Sequence, residues 1–221
     1  MKSYQTRLLG GISVSVLSLL ALAASAFAQG PLYTFRAEGE NASAYSSEVT
    51  TTGYKSVSVS VSLGGTVENR STFLYYSSSE FSDGVYTTEY GYGLIPNGSV
   101  ISDGRAQHLT LDVDLNTVPG FRVYRSVYTY PCPCPIGTPG ALPANAVISV
   151  AWDKTPERWN RSEGHSLTQL YELIVHSQGS FATFSATAQG TIFGRALAGS
   201  TYANASIGMN HNVFMAVEHG Q

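Results

Sequence analysis

Charge is scarce in this chain. Only 12% of the 221 residues are Asp, Glu, Lys or Arg, too few to clothe the outer faces of helices, which favour Ala, Leu, Glu, Lys and Arg. Basic residues never cluster; the nearest approaches are the pairs Arg122/Arg125 and Arg158/Arg161. Lys2 and Arg7 lie in the first 28 residues, whereas all 15 acidic residues follow them, so residues 29–221 carry 10 basic and 15 acidic groups, a formal charge of −5. That balance argues against a nucleic-acid partner, which needs basic surface to displace counterions. Beyond residue 28 no uncharged apolar run reaches the length of a membrane-spanning helix. Also missing are a Gly-x-Ser-x-Gly nucleophile turn and a His-Glu-x-x-His metal motif. No cofactor is expected. Cysteine occurs twice, at Cys132 and Cys134.

What the first 28 residues contain is an address. Lys2 and Arg7 give a positive start, a Leu/Val/Ala-rich run follows from Leu8, and Ala26-Phe27-Ala28 places small residues before Gln29. This is the layout of a cleavable secretory signal over 1–28. The run is long enough to serve as a membrane anchor instead, but Gly10, Gly11 and the early serines dilute it, and the Ala-x-Ala exit favours cleavage. The expectation is a secreted or periplasmic protein with no membrane span in its mature chain. No shift in composition marks a second domain, so residues 29–221 are read as one.

Abundant Ser, Thr, Gly and Tyr suit strands with hydroxylated outer faces and glycine turns. Residues 55–63 set the pattern, with Val57, Val59, Val61 and Leu63 on one face and serines on the other. Strict alternation of this kind is a half-buried strand, and Gly64-Gly65 closes it. Further strands are expected near 32–37, 72–77, 85–93, 107–116, 121–130, 146–152, 167–176, 181–188, 191–197, 201–208 and 212–218. Asp83-Gly84, Asn97-Gly98 and Asp103-Gly104 signal turns, and Gln178-Gly179 and Gln189-Gly190 do so more weakly. Many short strands at close spacing indicate an antiparallel β-sandwich, of which the jelly roll is one form, or a barrel. The alternation favours the sandwich, since each sheet then has one dry face.

Two stretches interrupt the pattern. Alternating prolines across 131–143 fix φ and remove amide donors, so this segment is expected to be an extended loop off the sheets. It holds both cysteines. Three readings stand for them: a strained local disulfide, inter-chain disulfides at an exposed loop, and a redox or copper-binding pair. The second stretch, 154–164, is read as irregular and carries Trp159.

Around it Asp153, Glu157, Glu163 and His165 fall within thirteen residues. Paired carboxylates could do acid/base work on a glycosidic bond, and Asp153 with His165 and a serine could form a hydrolytic set. Lys154, Arg158 and Arg161 equally neutralise these acids as surface pairs. Asp112, Asp114 and Asn116 resemble the opening of a calcium loop. They interleave with Leu109, Leu111, Val113 and Leu115, however, and so line the wet face of a strand.

Tyrosine is the remaining signal. Tyr86, Tyr90 and Tyr92 share one strand face; opposite them Val85, Thr87 and Glu89 make a polar face, so these tyrosines are expected to point inward. Tyr124, Tyr128 and Tyr130 face away from Val123 and Val127 and are expected to be exposed. Exposed aromatic rows suit sugars, whose ring faces stack on arenes, and equally suit protein interfaces. The functional expectation is a non-catalytic binding module with carbohydrate as its ligand class, held by Tyr124, Tyr128, Tyr130 and Trp159. A structural or interaction protein of the cell surface, and a hydrolase using the 153–165 cluster, are the alternatives. Five Asn-x-Ser sequons, at Asn41, Asn69, Asn97, Asn160 and Asn204, should lie on surface loops if the host glycosylates.

Overall fold

The structure is a computed structural model and describes residues 33–66, 69–129, 138–139, 146–155, 159–167, 171–183, 185–197 and 201–218. The candidate signal, Tyr130, Cys132 and Cys134 lie outside the described residues. The described chain is all-β, with two antiparallel sheets and no α-helix. Fourteen strands follow one another: β1 (Tyr33–Val49), β2 (Gly53–Thr66), β3 (Arg70–Ser82), β4 (Val85–Ile95), β5 (Val100–Ser102), β6 (His108–Asp114) and β7 (Arg122–Thr129) in the first part. After them come β8 (Thr138–Pro139), β9 (Val147–Lys154), β10 (Asn160–Leu167), β11 (Tyr171–Ala182), β12 (Ala186–Ile192), β13 (Arg195–Ala196) and β14 (Tyr202–Glu218). The larger sheet runs β10-β11-β14-β1-β2-β3-β4-β7-β8 and the smaller β13-β12-β9-β6-β5. No described helix is long and apolar enough to cross a membrane.

The chain gathers into two compact units. The larger, residues 36–162 with 177–212, is a β-sandwich. Val57, Val59 and Val61 of β2 and Leu74 and Tyr76 of β3 supply the inner face of one sheet. Leu109, Leu111 and Val113 of β6 and Ile148, Val150 and Trp152 of β9 supply the other. Each fully buried aliphatic side chain contributes about 1.5–3 kcal/mol of transfer free energy. The Trp152 indole Nε1–H donates to the Ser43 carbonyl at 3.0 Å and so ties the two sheets together. In the smaller unit, whose described residues are 33–35, 163–167, 171–176 and 213–218, Phe35 and Phe214 pack with ring centroids 6.0 Å apart.

Several expected boundaries move. Asp83 and Gly84, at φ 51° and 78°, form the two-residue turn that their sequence announces, with Ser82 paired to Val85. Gln178-Gly179 and Gln189-Gly190, in contrast, lie inside β11 and β12 rather than at turns. Gly190 has φ 136° and a Cβ there would overlap the Ser149 carbonyl on β9, so backbone conformation and a close strand approach inside the sheet, not a turn, require this glycine. The reversal instead falls just beyond, where Phe193 and Gly194 carry positive φ. The expected strands at 201–208 and 212–218 form one continuous strand, β14. Asn160–Leu167, read as irregular as far as Gly164, is a strand exposed at every position, so it shows no alternation to betray it. Within the expected proline loop, Thr138 and Pro139 pair with Arg125 and Tyr124 of β7.

Candidate binding face

On β3 and β4 the sequence presents two faces, and burial chooses between them against expectation. Glu89 is 6% exposed, in the interior. Its carboxylate accepts from the Tyr76 hydroxyl at 3.1 Å and from Arg125 Nε and Nη2 at 2.9 and 2.6 Å. Burial, then the Glu89 charge, holds the Tyr76 phenol protonated far above its ordinary range. Because Arg125 neutralises Glu89 from the neighbouring strand, the face that reads as polar is the inner one. Tyr86, Tyr90 and Tyr92 therefore point outward, which corrects the inward placement expected of them.

Strand register then assembles the outer face in cross-strand rows. Tyr45, Ser58, Ser77, Tyr90 and Tyr124 stand side by side on β1, β2, β3, β4 and β7. One row along lie Ser43, Ser60, Tyr75, Tyr92 and Arg122. Toward the Asp83-Gly84 turn, Val49, Tyr54, Phe81, Tyr86 and Tyr128 form another. The rings of Tyr90 and Tyr124 stack at 5.0 Å and 19°, and those of Tyr92 and Tyr124 at 5.8 Å and 13°. Tyr86 stacks on Tyr128 at 5.9 Å and 30°. Offset stacking of this kind is favourable beyond area burial, by about 0.5–1.5 kcal/mol per pair. Rings stacked on one another turn their edges and phenol hydroxyls to solvent.

The hydroxyls interact as well. Tyr92 and Tyr124 oxygens are 3.3 Å apart. Hydrogen bonding to Tyr124 raises the Tyr92 phenol above its usual value near 10, while the same bond, then that from Arg122, lowers Tyr124. The pair is therefore split, with Tyr124 ionising ahead of Tyr92. Ser58 and Ser77 share a hydrogen bond at 2.7 Å, and Tyr86 donates to Ser79 at 3.4 Å. The surface is a ribbon of serine hydroxyls flanked by aromatic rows, with no charge except Arg122 in the rows named.

Of the expected ligand residues, Tyr124 and Tyr128 belong to this face, both half-buried among the neighbouring rings. Tyr130 lies outside the described residues. Trp159 is exposed ahead of β10, the edge strand at the far end of the sheet from β7 and β8. The cysteine readings concern residues outside those described. Sequence reasoning missed Tyr54, Phe73, Tyr75, Phe81 and the outward trio of β4; their strand alternation was visible, but the partner of Glu89 was not.

The 153–165 cluster resolves into separate pairs. Asp153 bonds His108 Nδ1 at 2.6 Å, Glu163 pairs with His176 at 3.3 Å, and His165 pairs with Glu172. Glu157 is outside the described residues. Asp112 and Asp114 sit on the exposed face of β6, as their alternation predicts, and Asp114 caps the 3-10 turn Leu115–Thr117. Among the described residues no three His, Cys, Asp or Glu side chains come together as a metal site. All five sequon asparagines are exposed, yet Asn41, Asn160 and Asn204 lie in strands rather than loops. The Asn97 side chain is engaged, accepting from Thr72 Oγ1 at 2.8 Å and donating to the Arg70 carbonyl at 3.1 Å.

No protein-family model matches this chain, and no curated protein matches it at a significant level.

Proposed function

We propose that this chain is an exported, non-catalytic binding module that holds carbohydrate on the outer face of its larger sheet. A cleaved signal over 1–28 and a secreted or periplasmic location belong to the same reading. The observation that carries it is the stacked array of Tyr90, Tyr92 and Tyr124 beside the Ser58–Ser77 ribbon. Phenol and serine hydroxyls at fixed strand spacing donate to and accept from a polyol, and the arene edges shield those bonds from water. Preorganised rings lose little conformational freedom on binding.

A screen against soluble polysaccharides, with and without calcium, tests this. One class should bind, and Tyr124→Ala and Tyr128→Ala should weaken binding in a chain that still folds, its melting temperature lowered only by the several degrees that lost ring stacking costs. A blank panel, or lost binding accompanied by collapse of the fold, refutes the reading. A surface-protein partner is the second reading. It is favoured by Phe73 and Leu94, cross-strand neighbours that are 42% and 62% exposed. Under it, a partner co-purifying with the wild-type chain should be lost from Leu94→Asp.

A further inference from the structure

The same outer face carries a depression away from the tyrosine rows, at Gly39 of β1, Gly208 of β14 and Gly179 of β11. These strands are neighbours in the sheet, and an open groove of about 640 Å³ lies over them. Each glycine is there because something else occupies the place of its side chain. A Cβ on Gly208 would meet both Asn41 Oδ1 and Phe181 Cδ2 at 2.7 Å. One on Gly39 would collide with Asn210 Oδ1, and one on Gly179 would reach the Met209 carbonyl at 2.8 Å. Two amide side chains and a phenyl ring therefore lie down across the glycines of the next strand. Glycine within a strand costs about 0.5–1 kcal/mol relative to alanine. Here the close approach is made by the chain itself, and it brings two amides and a phenyl ring together along one groove.

The chemistry of the groove narrows what it could hold. Glu40 and Arg161 are the charged residues among those lining it. Glu40 is turned to the interior, 9% exposed, and accepts from Ser102 Oγ at 2.6 Å. The remaining polar lining includes the Asn41, Asn160 and Asn210 amides, serine hydroxyls and the Arg161 guanidinium, beside Phe181, which is 54% exposed. No anionic side chain is offered to a cationic ligand, and a single Arg161 is poor provision for a polyphosphate. Amides and hydroxyls around one arene suit a molecule that is dense in hydroxyls on its edge and carries C–H groups on its face. The tyrosine rows turn ring edges outward. Phe181 is 54% exposed with its Cδ2 against Gly208, so much of its ring surface is open to a ligand.

We propose that the groove over Gly39, Gly179 and Gly208 is a saccharide subsite in which a pyranose ring lies on Phe181 and hydrogen-bonds to Asn41 and Asn210. The choice of ligand class rests on the carbohydrate reading above, but the site is separate from the tyrosine rows. The groove volume lies within the range of about 300–1,000 Å³ typical of small-molecule sites. Asn41 amide and Phe181 ring meet over Gly208, so the polar and apolar contacts fall on one sugar.

The test uses the full chain, produced in a host without N-glycosylation because Asn41 and Asn160 stand in sequons at the groove. Soluble oligosaccharides of β-1,4-linked glucose, xylose and N-acetylglucosamine are titrated calorimetrically. For the oligosaccharide that binds, Phe181→Ala and the double change Asn41→Ala/Asn210→Ala should each weaken affinity about tenfold or more. Phe181→Tyr should retain it, and the melting temperatures of all three should stay near wild type. Unchanged affinity in Phe181→Ala and in the double variant, with affinity lost in Tyr124→Ala, overturns the subsite and leaves the tyrosine face standing. A wild-type chain that binds none of these sugars overturns both.

Discussion

The buried carboxylate of Glu89 decides which way the tyrosine face looks, and its removal can be worked through quantitatively. Glu89→Leu takes away three accepted hydrogen bonds and leaves the hydroxyl of Tyr76, a residue with no exposed surface, without a partner. An orphaned buried hydroxyl costs about 1–3 kcal/mol. Arg125 has a side chain 49% exposed, so it can turn to water and adds only about 0–1 kcal/mol. The expected loss is about 1–4 kcal/mol. Glu89→Gln keeps the shape and an acceptor for Tyr76 while losing the charge opposite Arg125, for an expected loss of about 1 kcal/mol. Urea unfolding at neutral pH, read by tyrosine and tryptophan fluorescence, gives both values from the midpoint shift at constant slope. In Tyr76→Phe the orphaned hydroxyl is gone, so combining it with Glu89→Leu should recover at least about 1 kcal/mol relative to additivity. Additive losses, or a cost for Glu89→Leu below that for Glu89→Gln, would refute the account of the network.

Three further outcomes are expected. Gly190→Ala should destabilise the chain by about 2 kcal/mol or more, because φ 136° is strained for alanine and its Cβ overlaps the Ser149 carbonyl; a denaturation midpoint equal to wild type contradicts this. In a spectrophotometric titration Tyr124 should ionise below, and Tyr92 above, the ordinary phenol value near 10. Replacing Tyr92 with Phe should move Tyr124 upward, and an unmoved early phase refutes the pairing. Hydrogen bonding from Lys55, reinforced by Arg195, holds the Glu80 carboxyl below its usual value. Its stabilising contribution is therefore present above the unfolded carboxylate pKa and is lost as pH falls through the lower folded one. Glu80→Gln should accordingly flatten the acid limb of the stability curve, and an unaltered limb dismisses the bridge as a contributor.

Residues 55–63 show what local pattern carries: valines and serines alternate, and β2 buries the valines while Ser56, Ser58 and Ser60 stay half-buried and Ser62 is exposed. The Asp83-Gly84 turn and the wet face of β6 are equally local, because each depends only on backbone preference and the period of a strand. Glycine is where local reading fails. Gly179 and Gly190 look like breakpoints in sequence, yet they sit in strands because a neighbouring strand or side chain takes the space of a Cβ. β10 fails for the opposite reason, since an edge strand exposed along its whole length needs no apolar period.

By itself, then, the sequence determined the class of the fold and the two-faced character of its strands. It could not determine which face of β4 is the inside. That depended on Arg125 arriving from β7 to neutralise Glu89, and so on register between strands distant along the chain. The tyrosine face itself was a tertiary decision: tyrosines on separate strands become one surface, and Asn41, Phe181 and Gly208 one groove, only when strand order sets them side by side.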